Sequence, residues 1–326
     1  MIIPEFEYYR PKSLKEMFKL ISTLGPDTRL LAGGTDLIPE LKERVKTAST
    51  IISLGDVQEL KGIEAREKAE GRSRSRAKEP LEDRGSERKR KEGRRGELRI
   101  GALATLTELI ESPVVPNEFS VIKEAALTLA SPPIRSMATI GGNIVQAVPS
   151  ADMPPILIAL KSKVRLVSQK GVRIMALEEF FKGPRETTLM PGEILKEIVV
   201  PFPKPGTGSC YLKEGRRGIL SLAVAGVAVS LRMHGQKCKE ARIVLGAVAP
   251  TPLLVREAGE IMAGKKLDPE SIDEAACVAA RCCCPITDVR ASEEYRRELV
   301  RVLTIRAINM AKESAAKTPM MRENYG

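Results

Sequence analysis

The chain has 326 residues, a formal net charge of +11, 43% hydrophobic residues, 3% aromatics and no Trp. That length fits two or three domains with buried cores. So few aromatics disfavour nucleic-acid platforms built on stacked rings.

The first residues, MIIPEFEYYRPKSL, lack the basic start and apolar run of a signal peptide. No apolar stretch approaches the roughly 18 residues of a membrane span, so a cytoplasmic location is expected. Residues 13–25, SLKEMFKLISTLG, predict a helix: Ser13 and Glu16 have capping-box spacing, Leu14, Met17, Phe18, Ile21 and Leu24 share a face, and Gly25 sits at the stop. A strand then runs into Gly33-Gly34, a helix follows over 37–44, and Thr50–Leu54 reads as a strand. The start is βαβ-like.

Residues 65–97 hold 13 Lys/Arg and 8 Asp/Glu, so they carry +5 of the +11. Their few apolar residues show no period, which predicts a disordered or loosely helical insertion. Ile63 and Leu98 are then expected close together, with the insertion looping out between two strands. Residues 106–130 read as helical and are stopped by Pro132-Pro133. MATIGGNIVQA predicts a strand entering a second double glycine. VRLVSQKGVRI predicts a hairpin, and Ile194–Val200 a strand. The Pro/Gly cluster at 201–209 marks a domain boundary. Beyond it, Leu220–Met233 and Ala241–Ala249 pair across a turn at 234–237. Helices begin near Asp268-Pro269 and at Ser292.

The two double glycines carry the chemistry. In LLAGGTD (30–36) and ATIGGN (138–143), glycine lets the chain turn sharply and aim backbone N–H groups at an anion. Thr35 and Thr139 add hydroxyls and Asn143 an amide. Two such loops would grip the phosphates of a dinucleotide from both sides. Neither GxGxxG nor GxxxxGK[ST] occurs. Cys282-Cys283-Cys284 lacks the spacing of a metal or iron–sulfur site, and His234, the only histidine, falls in a turn. No metal site and no acid–base or nucleophilic constellation is expected.

AGGTDL, RIGA, IRSMATIGGN with PSADMPP, PGEIL, YLKEGRR and ITDVRASEEYRRELV occur in that order. Together they resemble the FAD-binding (medium) subunit of the molybdenum hydroxylases, the xanthine dehydrogenase, carbon monoxide dehydrogenase and hydroxybenzoyl-CoA reductase group. The resemblance spans nearly all the chain outside 65–97. It implies an α+β fold: a two-subdomain FAD-binding domain of the PCMH/vanillyl-alcohol-oxidase type (1–64 and 98–205, interrupted by 65–97), then a C-terminal domain (206–326) with a small antiparallel sheet and helices. It places Leu31, Ala32, Gly33, Gly34, Thr35, Asp36 and Leu37 at the first pyrophosphate loop. It places Thr139, Ile140, Gly141, Gly142 and Asn143 at the second, and Asp152, Leu195 and Lys213 around the cofactor. Arg135 and Arg217 are further cationic candidates. Leu129 stands where some relatives have an aromatic beside the flavin.

The resemblance also implies non-covalent FAD, with the molybdenum cofactor and [2Fe–2S] clusters in partner subunits. The expected assembly is a dimer of heterotrimers with a molybdenum large subunit and an iron–sulfur small subunit, passing electrons to an external acceptor. A free-standing FAD-dependent oxidase or dehydrogenase is the alternative. The RSRSR and ERKRK stretches raise nucleic-acid binding, which their interleaved acidic residues oppose, so no nucleic-acid partner is expected.

Overall fold

The computed structural model describes residues 5–67, 96–216 and 221–317. Nearly all of the charged insertion, residues 68–95, and Arg217 lie outside the described residues. The fold is α+β, with three main sheets.

The first sheet is parallel and ordered β1-β3-β2, from Glu7–Tyr9, Thr50–Ser53 and Thr28–Leu31. α1 (Leu14–Thr23) crosses between β1 and β2, and α2 (Leu37–Lys42) between β2 and β3. Ser13 Oγ accepts the Glu16 N–H as expected, but Glu16 Oε2 accepts from Lys12 N–H at 2.8 Å, one residue before the reciprocal bond of a true capping box. Met17 and Phe18 of α1 pack with Ile52, Leu54, Val57 and Leu60 in a small core.

The second sheet is antiparallel and ordered β4-β5-β10-β6-β7. β4 (Ile63–Glu67) and β5 (Gly96–Gly101) place Ile63 opposite Ile100 and Ala65 opposite Leu98. The strands flanking the insertion are therefore neighbours, as expected. The ordered edges reach further inward than the composition indicated, because ladder bonds satisfy backbone at 65–67 and 96–97 that has little apolar surface to bury. β6 (Lys163–Ser168) and β7 (Gly171–Ala176) form the expected hairpin, and β10 (Ile194–Pro201) lies between β5 and β6. Helices α3 (Leu106–Glu111), α4 (Ser120–Leu127), α5 (Pro132–Arg135), α6 (Ile140–Val145) and α7 (Met153–Ala159) accompany this sheet. A short hairpin, β8 (Phe181–Gly183) with β9 (Glu186–Thr187), follows β7.

Two expectations fail here. Pro132-Pro133 opens a helix rather than stopping one, because proline's fixed φ suits the first helical positions. The second double glycine lies inside α6, not at the end of a strand: Thr139 is extended and caps that helix, accepting the Gly142 N–H at 3.1 Å.

The third sheet is an antiparallel meander, β11 (Thr207–Gly215), β12 (Ala223–His234), β13 (Lys237–Gly246) and β14 (Leu253–Leu254). The β12–β13 turn is only Gly235-Gln236, since His234 already pairs with Lys237. β12 reads AVAGVAV because both its faces are covered. On one face Tyr211, Ala228 and Val244 join the core that holds α7. On the other, Val227, Val229 and Ile243 pack with α8 (Arg256–Met262), α9 (Pro269–Cys282) and α10 (Glu293–Lys317). A Cβ on Gly208 would lie 2.1 Å from the Ala311 carbonyl oxygen, so β11 and α10 meet backbone to backbone. The cysteine run ends α9, with Cys283 buried and its neighbours exposed. Among the described residues, no group of His, Cys, Asp and Glu is arranged to hold a metal, and no helix is long and apolar enough to cross a membrane.

Arg296 ties α10 to this sheet. It is 1% exposed and donates to the carbonyls of Val224 (2.9 Å) and Ala247 (3.2 Å) and to Asp288 (2.6 Å). Arg296→Met removes this donor from two carbonyls and one of the donors to Asp288, which keeps Arg290. It is expected to cost about 3 kcal/mol or more in urea unfolding followed by far-UV circular dichroism. Arg296→Lys, with charge but no planar fork, is expected to recover less than half of that loss.

Candidate functional site

The first double-glycine loop runs from the end of β2 into α2. Gly34 has φ +73°, the left-handed region that glycine occupies without a Cβ penalty. Gly33 has a different constraint: a Cβ there would lie 2.0 Å from the Met137 carbonyl oxygen. The backbone of the first loop therefore rests directly on the segment that leads into the second. No acceptor within the described residues takes the N–H groups from Ala32 through Leu37. A run of unpaired donors on a tight turn is the arrangement that receives an anion.

The second loop is built differently. Ile140 N–H donates to Ala104 O and Gly141 N–H to Ala102 O, both at 2.9 Å. Gly142 N–H donates to Thr139 Oγ1 and Asn143 N–H to Thr139 O. All of these donors are spent inside the chain, so the expected pair of backbone nests is present on one side only. Gly141 serves close packing, since its Cβ would lie 2.5 Å from the Ala102 carbonyl oxygen. Residues 102–106 hold this loop, because Leu106 N–H also donates to Ala138 O at 3.0 Å. What the loop leaves unspent is the Asn143 side chain, whose Oδ1 is buried without a partner. A buried amide oxygen costs free energy until a donor reaches it.

A charged clamp joins the helices behind the two loops. Glu40 of α2 is 8% exposed, accepts from Gln146 Nε2 at 2.8 Å, and pairs with Lys46 at 2.8 Å and with Arg185. Gln146 caps the C-terminus of α6. Arg185, in the β8–β9 turn, also donates its N–H to Ala147 O. Burial pushes the Glu40 carboxyl up, but Lys46 and Arg185 outweigh it and hold it below its ordinary value.

Asp152 and Lys213 meet in the interior, 3% exposed for the former and 5% for the lysine side chain. Lys213 Nζ donates to Asp152 Oδ2 and to Thr128 O, and Tyr211 O–H donates to Asp152 Oδ1, each at 2.8 Å. Burial raises the Asp152 carboxyl above its usual range; Lys213 and the Tyr211 hydrogen bond offset part of that. Tyr211 is pushed well up by burial and by the neighbouring carboxylate. The triad pins the start of α7 and the end of α4 to β11. Leu195 stands apart from it, in the core opposite Leu166. Arg135 donates to the carbonyls of Leu129 and Ala130, closing the turn after α4. The Glu40 clamp was not foreseen, because its members lie up to 145 residues apart and none sits in a recognisable motif.

Comparison with known proteins agrees with this architecture. Residues 4–70 and 86–203 match the family described as FAD binding domain in molybdopterin dehydrogenase, and residues 210–311 match the CO dehydrogenase flavoprotein C-terminal domain. The chain is 36% identical to the carbon monoxide dehydrogenase medium chain of Afipia carboxidovorans, over 97% of this chain and 99% of that one. It is 32% identical to the glyceraldehyde dehydrogenase medium chain of Sulfolobus acidocaldarius, over 94% and 98%. The solved carbon monoxide dehydrogenase of Hydrogenophaga pseudoflava, which lacks the Mo-pyranopterin moiety, superimposes with a TM-score of 0.84 at 33% identity, covering 96% of this chain and 99% of that one.

Two outcomes follow from the loop and its clamp. Gly33→Ala separates the first loop from Met137 and is expected to weaken FAD affinity at least about tenfold, measured by flavin absorbance after dialysis. Gly25→Ala, where nothing lies within 4 Å, is expected to keep full flavin. Glu40 has its folded value below the unfolded one of about 4.3, so its contribution is complete at neutral pH and is lost as pH falls through the lower folded value. Flavin fluorescence released on acidification is expected to show this as a step below the ordinary carboxylate range. Glu40→Gln is expected to weaken FAD binding at pH 7 and to flatten that step.

Proposed function

Since the chain belongs to the FAD-binding subunits of the molybdenum hydroxylases, we propose that it is the electron-transfer flavoprotein subunit of such a complex. The reading rests on one observation above the others: the row of N–H groups from Ala32 to Leu37 with no acceptor in the chain. FAD, when bound, supplies two-electron redox chemistry and its coupling to one-electron partners. The residues present fit its diphosphate. Ala32–Leu37 would hold the phosphate oxygens by main-chain donors, Thr35 would add a hydroxyl, and Asn143 would add its Nδ2 amide donor from the second loop. Leu31 and Leu37 carry the backbone into and out of that turn.

Thr139, Ile140, Gly141 and Gly142 act as the rigid wall that places Asn143, with the Ile140 and Gly141 donors spent on the strap at 102–106 and that of Gly142 on Thr139 Oγ1. Lys213 and Asp152 act from behind that wall, as a buried pair that fixes α7 against β11. A lysine 5% exposed and doubly hydrogen-bonded holds its charge in place, and such a fixed charge biases a nearby anionic group without reorganising. No His or Cys occurs in 30–37 or 138–143, which favours non-covalent attachment. The molybdenum cofactor and the [2Fe–2S] clusters are proposed to sit in a large and a small partner subunit, in a dimer of heterotrimers with an external acceptor. The chain is proposed to comprise the FAD subdomains at 1–64 and 98–205 and the C-terminal domain from 206.

The test is purification without a tag on any partner gene. The proposal expects a yellow protein that copurifies with a molybdenum subunit and an iron–sulfur subunit, and whose flavin bleaches when the partners' substrate is added anaerobically. A flavoprotein that purifies alone and turns over a substrate by itself would establish the free-standing dehydrogenase instead.

A further inference from the structure

The face of the third sheet that packs on α7 changes character along its strands. Near α7 it presents Tyr211, Ala228 and Val244. Further along the same face, register places Ser209 opposite Ser230, Ser230 opposite Arg242, and Arg232 opposite Glu240. Side chains two apart on a strand share a face, so these groups all project to one side. There Ser230, Arg232, Glu240 and Arg242 line a cavity bordered by Lys161 after α7 and by the 201–204 segment. None of the residues at the two glycine loops lines it.

Four cations, Lys161, Lys204, Arg232 and Arg242, border this cavity with one carboxylate, Glu240. The pairs are unequally filled. Lys161 is paired with Glu240, and Arg242 with Glu178 and the Ile158 carbonyl. The Arg232 guanidinium has no hydrogen-bond or ion-pair partner among the described residues, and its Nε is buried. A guanidinium carries five donors in a planar fork and is seldom left without an acceptor when its nitrogen is out of water. The field around it is positive enough that Glu240 is held below its ordinary value, by Lys161 first and by Arg232 and Lys204 as well. The remaining walls are apolar, with Leu160 and Phe202.

We infer that this cavity is a second ligand site, separate from the flavin loops, which takes a small phosphate monoester with its phosphoryl group on Arg232 and its organic part against Leu160 and Phe202. Arginine matches two phosphoryl oxygens with two parallel donors, and Lys204 balances the second charge. Ser230 lies within the same row of side chains and offers a hydroxyl. An organic anion suits the mixed lining better than a hydrated inorganic ion.

Calorimetric titration of the purified, flavin-loaded protein with phenyl phosphate and with inorganic phosphate tests the site. Saturable uptake of one phenyl phosphate per chain, tighter than inorganic phosphate, is expected. Arg232→Met is expected to weaken it by at least about tenfold, and Arg232→Lys by less, with flavin absorbance unchanged in both. Lys266→Met, which alters a different groove beside Gly235 and Lys312, is expected to bind like the unaltered chain. Absence of saturable phenyl phosphate binding overturns the inference. So does equal affinity in the unaltered chain and in both Arg232 variants.

Discussion

The contact between Gly33 and the Met137 carbonyl is the constraint on which the candidate site depends. There is no room for any side chain at that point, so the first loop and the segment feeding the second lie backbone against backbone. Everything around them keeps that contact in register. Residues 102–106 hold the second loop by main-chain bonds, Gly141 lets α6 approach Ala102, and Thr139 fixes where α6 begins. Having spent its donors on being held, the second loop serves as a fixed surface. The first loop rests on that surface and keeps its own donors unspent. The asymmetry explains why two similar Gly-Gly motifs do different physical work.

Charge reinforces the same arrangement at two distances. Close behind the loops, Glu40 gathers Gln146, Lys46 and Arg185, which come from three separate stretches of chain. Lys46 and Arg185 are partly exposed, so each pair adds only about 0–1 kcal/mol; their value is in orientation. Deeper in, Asp152 and Lys213 are both out of water. Desolvating the two is costly, and their attraction does little more than repay it. What the pair adds is a unique seat: with Tyr211 and the Thr128 carbonyl it leaves α7 one position on the third sheet. The core on one side of that sheet is thereby tied to the helices of the preceding domain.

Local chemistry was legible where it is encoded locally. The α1 periodicity, the hairpin at 163–176, the Asp268-Pro269 helix start and the paired strands flanking the insertion all follow from neighbouring residues. The α6 segment misled because Ala138-Thr139-Ile140 has strand-like, β-branched character, while the deciding fact is a cap bond from the Gly142 N–H to Thr139 Oγ1 together with packing on Ala102. Lys213 was legible by motif but not by environment. Its burial depends on Asp152, 61 residues away, and a lysine beside Glu214 and Arg216 reads as surface. Leu195 comes to the cofactor by resemblance alone; its side chain lies in the core beside Leu166.

Three arginines and one loop show how unspent donors locate chemistry in this chain. Arg296 is nearly inaccessible and donates to two carbonyls and Asp288; it holds α10 in place. Arg135 is committed to two carbonyls of a turn. Both therefore have structural work that accounts for them. The N–H groups of 32–37 and the guanidinium of Arg232 have no such work within the described residues. Native proteins pair nearly all buried donors, so donors left over at a tight turn or in a cavity wall mark where something outside the chain completes the hydrogen bonding. On the first loop the proposed occupant is the FAD diphosphate, for which the glycines make room. On the third sheet the inferred occupant is a second anion, met by a face that begins as apolar core and ends as a charged pocket.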